Sequence, residues 1–197
     1  MAQFHVIPAS ALAGKARIVE QPEPQSLEQR LAEPALAAMT DLTRVPAVSV
    51  RADELVDVAH QRMLDRRVRM LFAVDHGGCV VGLITSNDVL GEKPMQVVRE
   101  RGVRHDEIRV QDIMMPADAV EAIDIDDLAG ARVGDIVETM RAHGRQHALV
   151  MRRDASGLLQ ICGVFSAADL SRRLGMPVVP MTVALTFAEI EETLAHA

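Results

Sequence analysis

Residues 82–88 read GLITSND, and residues 163–169 read GVFSAAD. Each stretch has a glycine, then a hydroxyl residue three positions later, then an aspartate three positions after that. The two copies begin 81 residues apart (163 less 82). One such pattern occurs by chance, but two copies in similar surroundings indicate an internal repeat. We call residues 82–88 the first heptad and residues 163–169 the second heptad.

The residues before the first heptad predict one strand, one helix and a β-hairpin. A short strand is expected at 45–50, and Val56, Ala59 and Met63 then lie on one face of a helix. Asp53 is expected to cap that helix with its carboxylate. The apolar run 71–74 predicts a buried strand. Residues 75–78 are typical of a turn, residues 79–85 form the returning strand, and a helix starts near Asp88.

The same order returns before the second heptad. A strand is predicted near 120–125, and four apolar residues then follow helical spacing: Val133, Ile136, Val137 and Met140. Strands are expected at 147–150 and 158–166, and a helix at 168–174 that ends at Gly175. The second copy has four more residues between its helix methionine and its heptad glycine, 23 against 19. We expect these four residues to lengthen the surface turn of the second hairpin.

Each copy therefore reads β-α-β-β-α, which predicts an α+β fold. One copy alone would leave one sheet face exposed, so the two copies are expected to pack face to face with pseudo-two-fold symmetry. The predicted organisation is an N-terminal extension (1–39), a first domain (40–105), a second domain (106–175) and a C-terminal tail (176–197).

Both ends of the chain lie outside the repeat. The extension is expected to contain a short strand at 4–7 and a helix opened by a capping box of Ser26 and Gln29, with Pro34 interrupting the helix. The tail is expected to contain a β segment at 178–185 and a last helix opened by a capping box at 186–189.

The composition narrows the class of function. A net charge of −7 argues against nucleic acid as the main partner, because a duplex requires a basic footprint. The sequence shows neither a signal peptide nor a run of about 18 apolar residues, so no membrane contact is expected and the cytoplasm is the expected compartment. Cys79 and Cys162 are predicted to be inert thiols in buried strands. We find no pattern typical of a metal site, a catalytic cofactor or an enzyme's nucleophile and base.

With these features in place, residues 40–175 resemble a tandem cystathionine-β-synthase (CBS) domain protein, an arrangement called a Bateman module. The resemblance rests on the β-α-β-β-α order, the apolar strand before each turn, the sequence DIM at 112–114 and the two heptads. It implies a stand-alone, non-catalytic sensor of cellular energy that binds an adenosine nucleotide such as AMP, ADP or ATP between the paired domains. It also implies a homodimer, formed here through the helices at 53–65 and 132–142, that acts on an effector protein.

The resemblance also implies which residues would hold the nucleotide. The heptad carboxylates would hold the ribose hydroxyls, the heptad hydroxyls would contact ribose or phosphate, and the glycines would allow close backbone approach. These residues are Asp88, Asp169, Thr85, Ser166, Gly82 and Gly163. Apolar residues near the strand starts would grip the base, with Val45, Val48, Met115 and Val120 as candidates. Basic residues before each hairpin would meet the phosphates, with Arg67 and Arg69 in the first copy and Arg145 and His147 in the second.

A second interpretation needs no ligand. Asp88 and Asp169 would then cap the helices that follow them, and Thr85 and Ser166 would satisfy backbone groups. The protein would be a structural or protein-interaction module. If a nucleotide binds, the first copy is slightly favoured, because Thr85 and Asn87 offer polar groups where the second heptad has two alanines.

Overall fold

The computed structural model describes His5 and residues 7–10, 14–18 and 25–178. Its regular elements, in chain order, are α1 (Leu27–Leu31), β1 (Thr40–Asp41), β2 (Ser49–Arg51), α2 (Val56–Arg66), β3 (Met70–Val74), β4 (Val80–Thr85), α3 (Ser86–Leu90), α4 (Lys93–Arg101), α5 (Val110–Ile113), β5 (Met115–Pro116), β6 (Ala122–Asp124), α6 (Val133–Ala142), β7 (His147–Arg153), β8 (Leu159–Ser166) and α7 (Ala167–Leu174). Short 3₁₀ turns lie at Ala35–Ala38, His105–Glu107, Ala117–Ala119 and Ile125–Leu128.

Two four-stranded sheets carry the repeat. Their strand orders are β2-β3-β4-β5 and β1-β8-β7-β6. The strand before each helix pairs in parallel with the strand after it (β2 with β3, β6 with β7), and each hairpin is antiparallel. The predicted α+β class and the β-α-β-β-α order of both copies are confirmed.

The two sheets face each other across an apolar layer. Met70, Phe72 and Leu83 of one sheet meet Leu149 of the other, with partly buried residues of both copies around them. Two further cores lie between each sheet and its own helices, and the predicted helix faces supply them: Val56, Ala59 and Met63 in the first, and Val133, Ile136, Val137 and Met140 in the second. The face-to-face packing is therefore confirmed.

Each copy sends its leading segment to the other copy's sheet. Thr40 and Asp41 of β1 pair with β8, whereas Met115 and Pro116 of β5 pair with β4. The segments before these strands are also equivalent, because residues 35–41 and 110–116 occupy matching places 75 positions apart (110 less 35). Ala35 and Ala38 enter the second core, and Val110 and Ile113 enter the first. The predicted extension, 1–39, thus includes residues that complete the second half of the fold.

The heptad glycines make this exchange possible. A Cβ on Gly163 would overlap Sδ of Met39, and a Cβ on Gly82 would lie 2.8 Å from Sδ of Met114. Met39 and Met114 occupy equivalent places in the two leading segments. The glycines therefore provide room for the crossing segments.

Three local expectations are wrong. The loops of the two hairpins have equal length, residues 75–79 and 154–158, because the four extra residues extend β7 and β8 by two each. Cys79 is exposed and precedes β4, because it lies at the hairpin loop, whereas Cys162 is buried in β8 as expected. Asp53 does not cap α2, since its carboxylate pairs with Arg51 and the N-cap residue is Leu55.

The N-terminal capping box of Ser26 and Gln29 is confirmed, and α1 packs against α6 and α7. As expected, Pro34 separates α1 from the next turn. The strand expected at 4–7 and the tail elements expected at 178–185 and 186–189 lie almost entirely outside the described residues. No helix among those residues combines the length and the apolar character that crossing a bilayer requires.

Candidate functional site

Two clefts lie where the heptads of the two copies approach each other. The first cleft, about 160 Å³, is lined by Thr85 and Asp88 of the first heptad together with Met70, Met115, Arg145 and His147. The second cleft, about 180 Å³, is lined by Ser166 of the second heptad together with Arg69, Gln146, His147, Ala168 and Ser171. Both volumes lie below the roughly 300–1,000 Å³ of typical small-molecule pockets. A nucleotide would therefore require the clefts to widen.

In the first cleft the protein itself satisfies the heptad carboxylate. Oδ2 of Asp88 accepts hydrogen bonds from the Thr85 amide at 2.8 Å and the Thr85 hydroxyl at 2.7 Å, and the Asp88 amide donates back to Oγ1 of Thr85 at 3.3 Å. Oδ1 of Asp88 meets Nζ of Lys93 at 2.6 Å. Lys93 also donates to the carbonyl of Ile113 at 3.1 Å. This heptad is thus a capping box that is tied to α4 and to the crossing segment.

The second heptad is built differently. Within residues 25–178, the side chain of Ser166 makes no capping hydrogen bond to α7. Asp169 instead pairs with Arg172 on the surface of its own helix. The first turn of α7 therefore borders the second cleft without a side-chain cap, although its first amide, that of Ala167, donates to the Gln146 carbonyl. The partial positive charge of a helix start attracts anions.

The basic residues line the opposite clefts from those predicted. Arg69 precedes the first hairpin but lines the second cleft, and Arg145 precedes the second hairpin but lines the first. Face-to-face packing causes this exchange, because it sets the start of each hairpin beside the heptad of the other copy. Arg145 is held by Glu121 at 3.3 Å and donates to Sδ of Met115 at 3.4 Å, whereas Nε of Arg69 donates to the Ser86 hydroxyl at 3.3 Å.

His147 lines both clefts. Burial and, to a smaller extent, the neighbouring Arg69 lower its pKa to about 4 against the opposing effect of Asp169. At neutral pH the imidazole is therefore uncharged, and His147 cannot supply the positive charge that was predicted for it.

The structure separates the remaining candidates from the clefts. Val48 lines another, open groove of about 670 Å³ beside α2, and Val120 packs against the layer between the sheets. Val45 is exposed. Arg67 is an exposed residue with a φ of 53° that ends α2. Of the predicted base-contacting residues, Met115 lies in a cleft.

Sequence reasoning missed two residues that shape the site. Lys93 is one of two lysines in the chain and follows Asp88 by five positions, which places it in the next helix rather than on the same helical face. Gln146 lines both clefts, and its carbonyl accepts a hydrogen bond from the Ala167 amide at 2.9 Å. No local pattern marked either residue, because both act through contacts between separate elements.

The family model for the CBS domain matches residues 39–94, which contain the first heptad. This part of the chain is a CBS domain. The match does not extend over the second copy, which resembles the first in its heptad and in the order of its elements. No curated protein matches the sequence.

Solved structures of CBS-domain proteins have the same fold. A hemolysin-like protein containing a CBS domain, from Oenococcus oeni, aligns with a TM-score of 0.52 at 18% identity and covers 76% of this chain and 98% of its own. A CBS-domain-containing protein from Agrobacterium tumefaciens aligns with a TM-score of 0.50 at 18% identity and covers 69% and 93%. An uncharacterized conserved protein from Pyrococcus horikoshii gives 0.50 at 23% identity, covering 72% and 92%. The chain therefore has the paired CBS fold.

Proposed function

We propose that this protein is a regulatory, non-catalytic CBS module that binds an adenosine nucleotide, AMP, ADP or ATP, chiefly in the second cleft. The observation that carries the proposal is the uncapped second heptad, where Ser166 and the first turn of α7 face Arg69 across the cleft. A carboxylate can accept hydrogen bonds from both vicinal hydroxyls of a ribose. The start of a helix beside an arginine can bind a phosphate.

The roles follow from position. Ser166 and Asp169 would hold the ribose, and Arg69 together with the α7 amides would hold the phosphate. Asp169 pairs with Arg172 at the surface, so it can turn toward a ligand at small cost, since exposed ion pairs contribute about 0–1 kcal/mol. In the first cleft a ribose would have to displace both Lys93 and Thr85 from Asp88. This difference reverses the slight preference for the first copy that followed from its polar residues Thr85 and Asn87.

Calorimetric titration with AMP, ATP and S-adenosylmethionine tests the proposal. We expect Asp169→Ala and Arg69→Met to abolish or strongly weaken binding, and Asp88→Ala to leave the stronger binding event in place. Arg67→Met is the matched control for Arg69→Met, because Arg67 is a nearby exposed arginine that ends α2. Binding that depends on Asp88 and not on Asp169 would move the site to the first cleft.

A ligand-free interaction module is the second candidate, and the small volume of both clefts favours it. In that case none of the three compounds would produce heat or raise the melting temperature, even at millimolar concentration. The heptads would then act only in helix capping and in the crossing of the leading segments.

We further propose that the module works as a cytoplasmic homodimer that shifts the conformation of an effector protein. The exposed side of α2, with Val58 and Leu64, is the better candidate for the dimer surface. The other helix predicted to contribute to the dimer surface, α6, already packs against α1 and the turn Ala35–Ala38. Light scattering on wild type and on Leu64→Glu tests this, with loss of the dimer expected in the variant.

A further inference from the structure

Gln146 and His147 stand between the two clefts, and both residues line each cleft. We call this pair the shared wall. Gln146 directly precedes β7, and His147 is the first residue of β7, where it is the register partner of Ser166. The equivalent residues of the first repeat, Arg69 and Met70, do not form such a wall, because Arg69 lines the second cleft and Met70 lines the first. The contact between the clefts therefore comes from the second repeat.

The chemistry of the shared wall limits what both clefts can hold at once. A neutral imidazole has one N–H donor and one acceptor nitrogen. The charged groups around His147 are Arg69 before β3, Asp169 on α7, and Arg145 and Asp88 in the first cleft. The burial of His147 keeps the ring neutral at neutral pH. One anion at the ring can therefore receive the N–H, and a second anion at the other ring nitrogen would face a lone pair.

We propose that the shared wall makes the two clefts compete for anions, so that an anion bound in the second cleft weakens the binding of an anion in the first. This inference rests on the proposed function and adds its regulation. The protein then responds over two separate ranges of ligand concentration, since the first cleft fills after the second.

Titration of the whole 197-residue chain with AMP tests the competition. Calorimetry follows total binding, and the ¹³C-methyl resonances of Met70 and Met115 report the first cleft, which both residues line. We expect these resonances to respond at AMP concentrations at least about five-fold above those that fill the second cleft, the lower end of usual coupling between sites.

A double-mutant cycle isolates the competition from any intrinsic difference between the clefts. Asp169→Ala, which empties the second cleft, should lower the AMP concentration at which the first cleft responds by about five-fold. In a His147→Met background, which copies Met70 of the first repeat, Asp169→Ala should have no effect on the first cleft. His105→Met is the control, because His105 is exposed and should preserve the wild-type response.

The proposed competition is wrong if Asp169→Ala leaves the first-cleft response unchanged in the wild-type background. It is also wrong if Asp169→Ala shifts that response equally in the His147→Met background. Pyrophosphate serves as a second probe, since it carries the phosphate chemistry without the nucleoside. If AMP fails to bind while pyrophosphate shows the competition, the proposed nucleotide function is wrong and the inference stands. If pyrophosphate also fails to bind, the competition for anions is wrong as well.

Discussion

At the scale of single residues, the two heptads form different contacts although both fit the pattern G-x-x-[TS]-x-x-D. Asp88 accepts hydrogen bonds from Thr85 and pairs with Lys93, whereas Asp169 pairs with an exposed arginine. The pattern G-x-x-[TS]-x-x-D therefore does not specify whether its carboxylate is held in a capping box, as Asp88 is, or pairs at the surface, as Asp169 does. The additional partner of Asp88, Lys93, comes from another helix.

We expect Asp88→Ala to destabilise the protein by about 1–2 kcal/mol, because it removes both the helix cap and the tie to α4. The matched change Asp169→Ala should alter the free energy of unfolding by less than about 0.5 kcal/mol, as usual for an exposed pair. Urea denaturation measures both. Equal losses would show that Asp169 also has a structural role.

His147 gives the stability a pH dependence. Its pKa is about 4 in the folded protein, below the usual 6.5, so the unfolded chain binds a proton between these values while the folded protein does not. The stability contributed by the neutral ring is complete above pH 6.5 and is lost as the pH falls toward 4. We expect His147→Met to reduce this acid loss by about 2 kcal/mol, less than the full shift implies because the ring is only partly buried. Denaturation at pH 7 and pH 4.5 measures the change, and exposed His105→Met should behave as wild type.

At the scale of elements, hydrophobic periodicity and turn chemistry were sufficient to predict the six longer strands (β2, β3, β4, β6, β7 and β8), the helices α2 and α6 and both hairpins. The crossing of the leading segments was not predicted, because β1 and β5 contain only two residues each. A strand of two residues is too short to show an alternation of apolar and polar residues. Its position depends on contacts with a glycine far away in the chain, which a local pattern cannot report.

The glycines of β4 and β8 should tolerate a methyl group unequally. On Gly82 a Cβ would lie 2.5 Å from the backbone oxygen of Met115, which cannot move without breaking the β4–β5 pairing. On Gly163 it would meet the flexible side chain of Met39. We expect Gly82→Ala to cost about 2–3 kcal/mol and Gly163→Ala about 1 kcal/mol, within the usual range for overpacking. Thermal unfolding tests the order, and a larger loss for Gly163→Ala would contradict it.

At the scale of the whole molecule, the two halves complete each other. The second core contains Ala35 and Ala38 from the segment before the first repeat, and the first core contains Val110 and Ile113 from the segment before the second. We therefore expect one cooperative unfolding transition rather than two. The methyl resonances of Met63 and Met140, buried in the first and second core, should lose their native signal at the same denaturant concentration.

A charge placed in one core should affect both halves. Ala35→Asp buries an unpaired carboxylate at a residue with no solvent exposure, which should cost about 3 kcal/mol or more. The midpoints of the Met63 and Met140 signals should fall together. Leu36→Asp is the control, since Leu36 is 46% exposed and its replacement should change little. A Met63 signal that keeps its wild-type midpoint in Ala35→Asp would show that the halves unfold independently.

The candidate site was predictable only in part at this scale. Thr85, Asp88 and Ser166, which the sequence singled out, line the clefts, because Thr85 and Ser166 end strands there and Asp88 lies in the helix after Thr85. The sequence assigned Arg69 and Arg145 to the wrong clefts, because the exchange depends on how the two sheets face each other. The small cleft volumes and the shared position of His147 are likewise properties of the assembled pair.

The crossing of the leading segments also sets the order in which the protein can be completed on the ribosome. Residues 35–41 are made early, but their partner strand β8 ends at Ser166. At 5–20 residues per second, the segment waits roughly 6–25 seconds for that strand. The edge of β4 is made before β8. In the folded protein this edge pairs with the equivalent segment, residues 110–116. Before residues 110–116 are made, the nascent chain therefore has a free edge on β4 and an equivalent segment, residues 35–41, whose own partner strand does not yet exist.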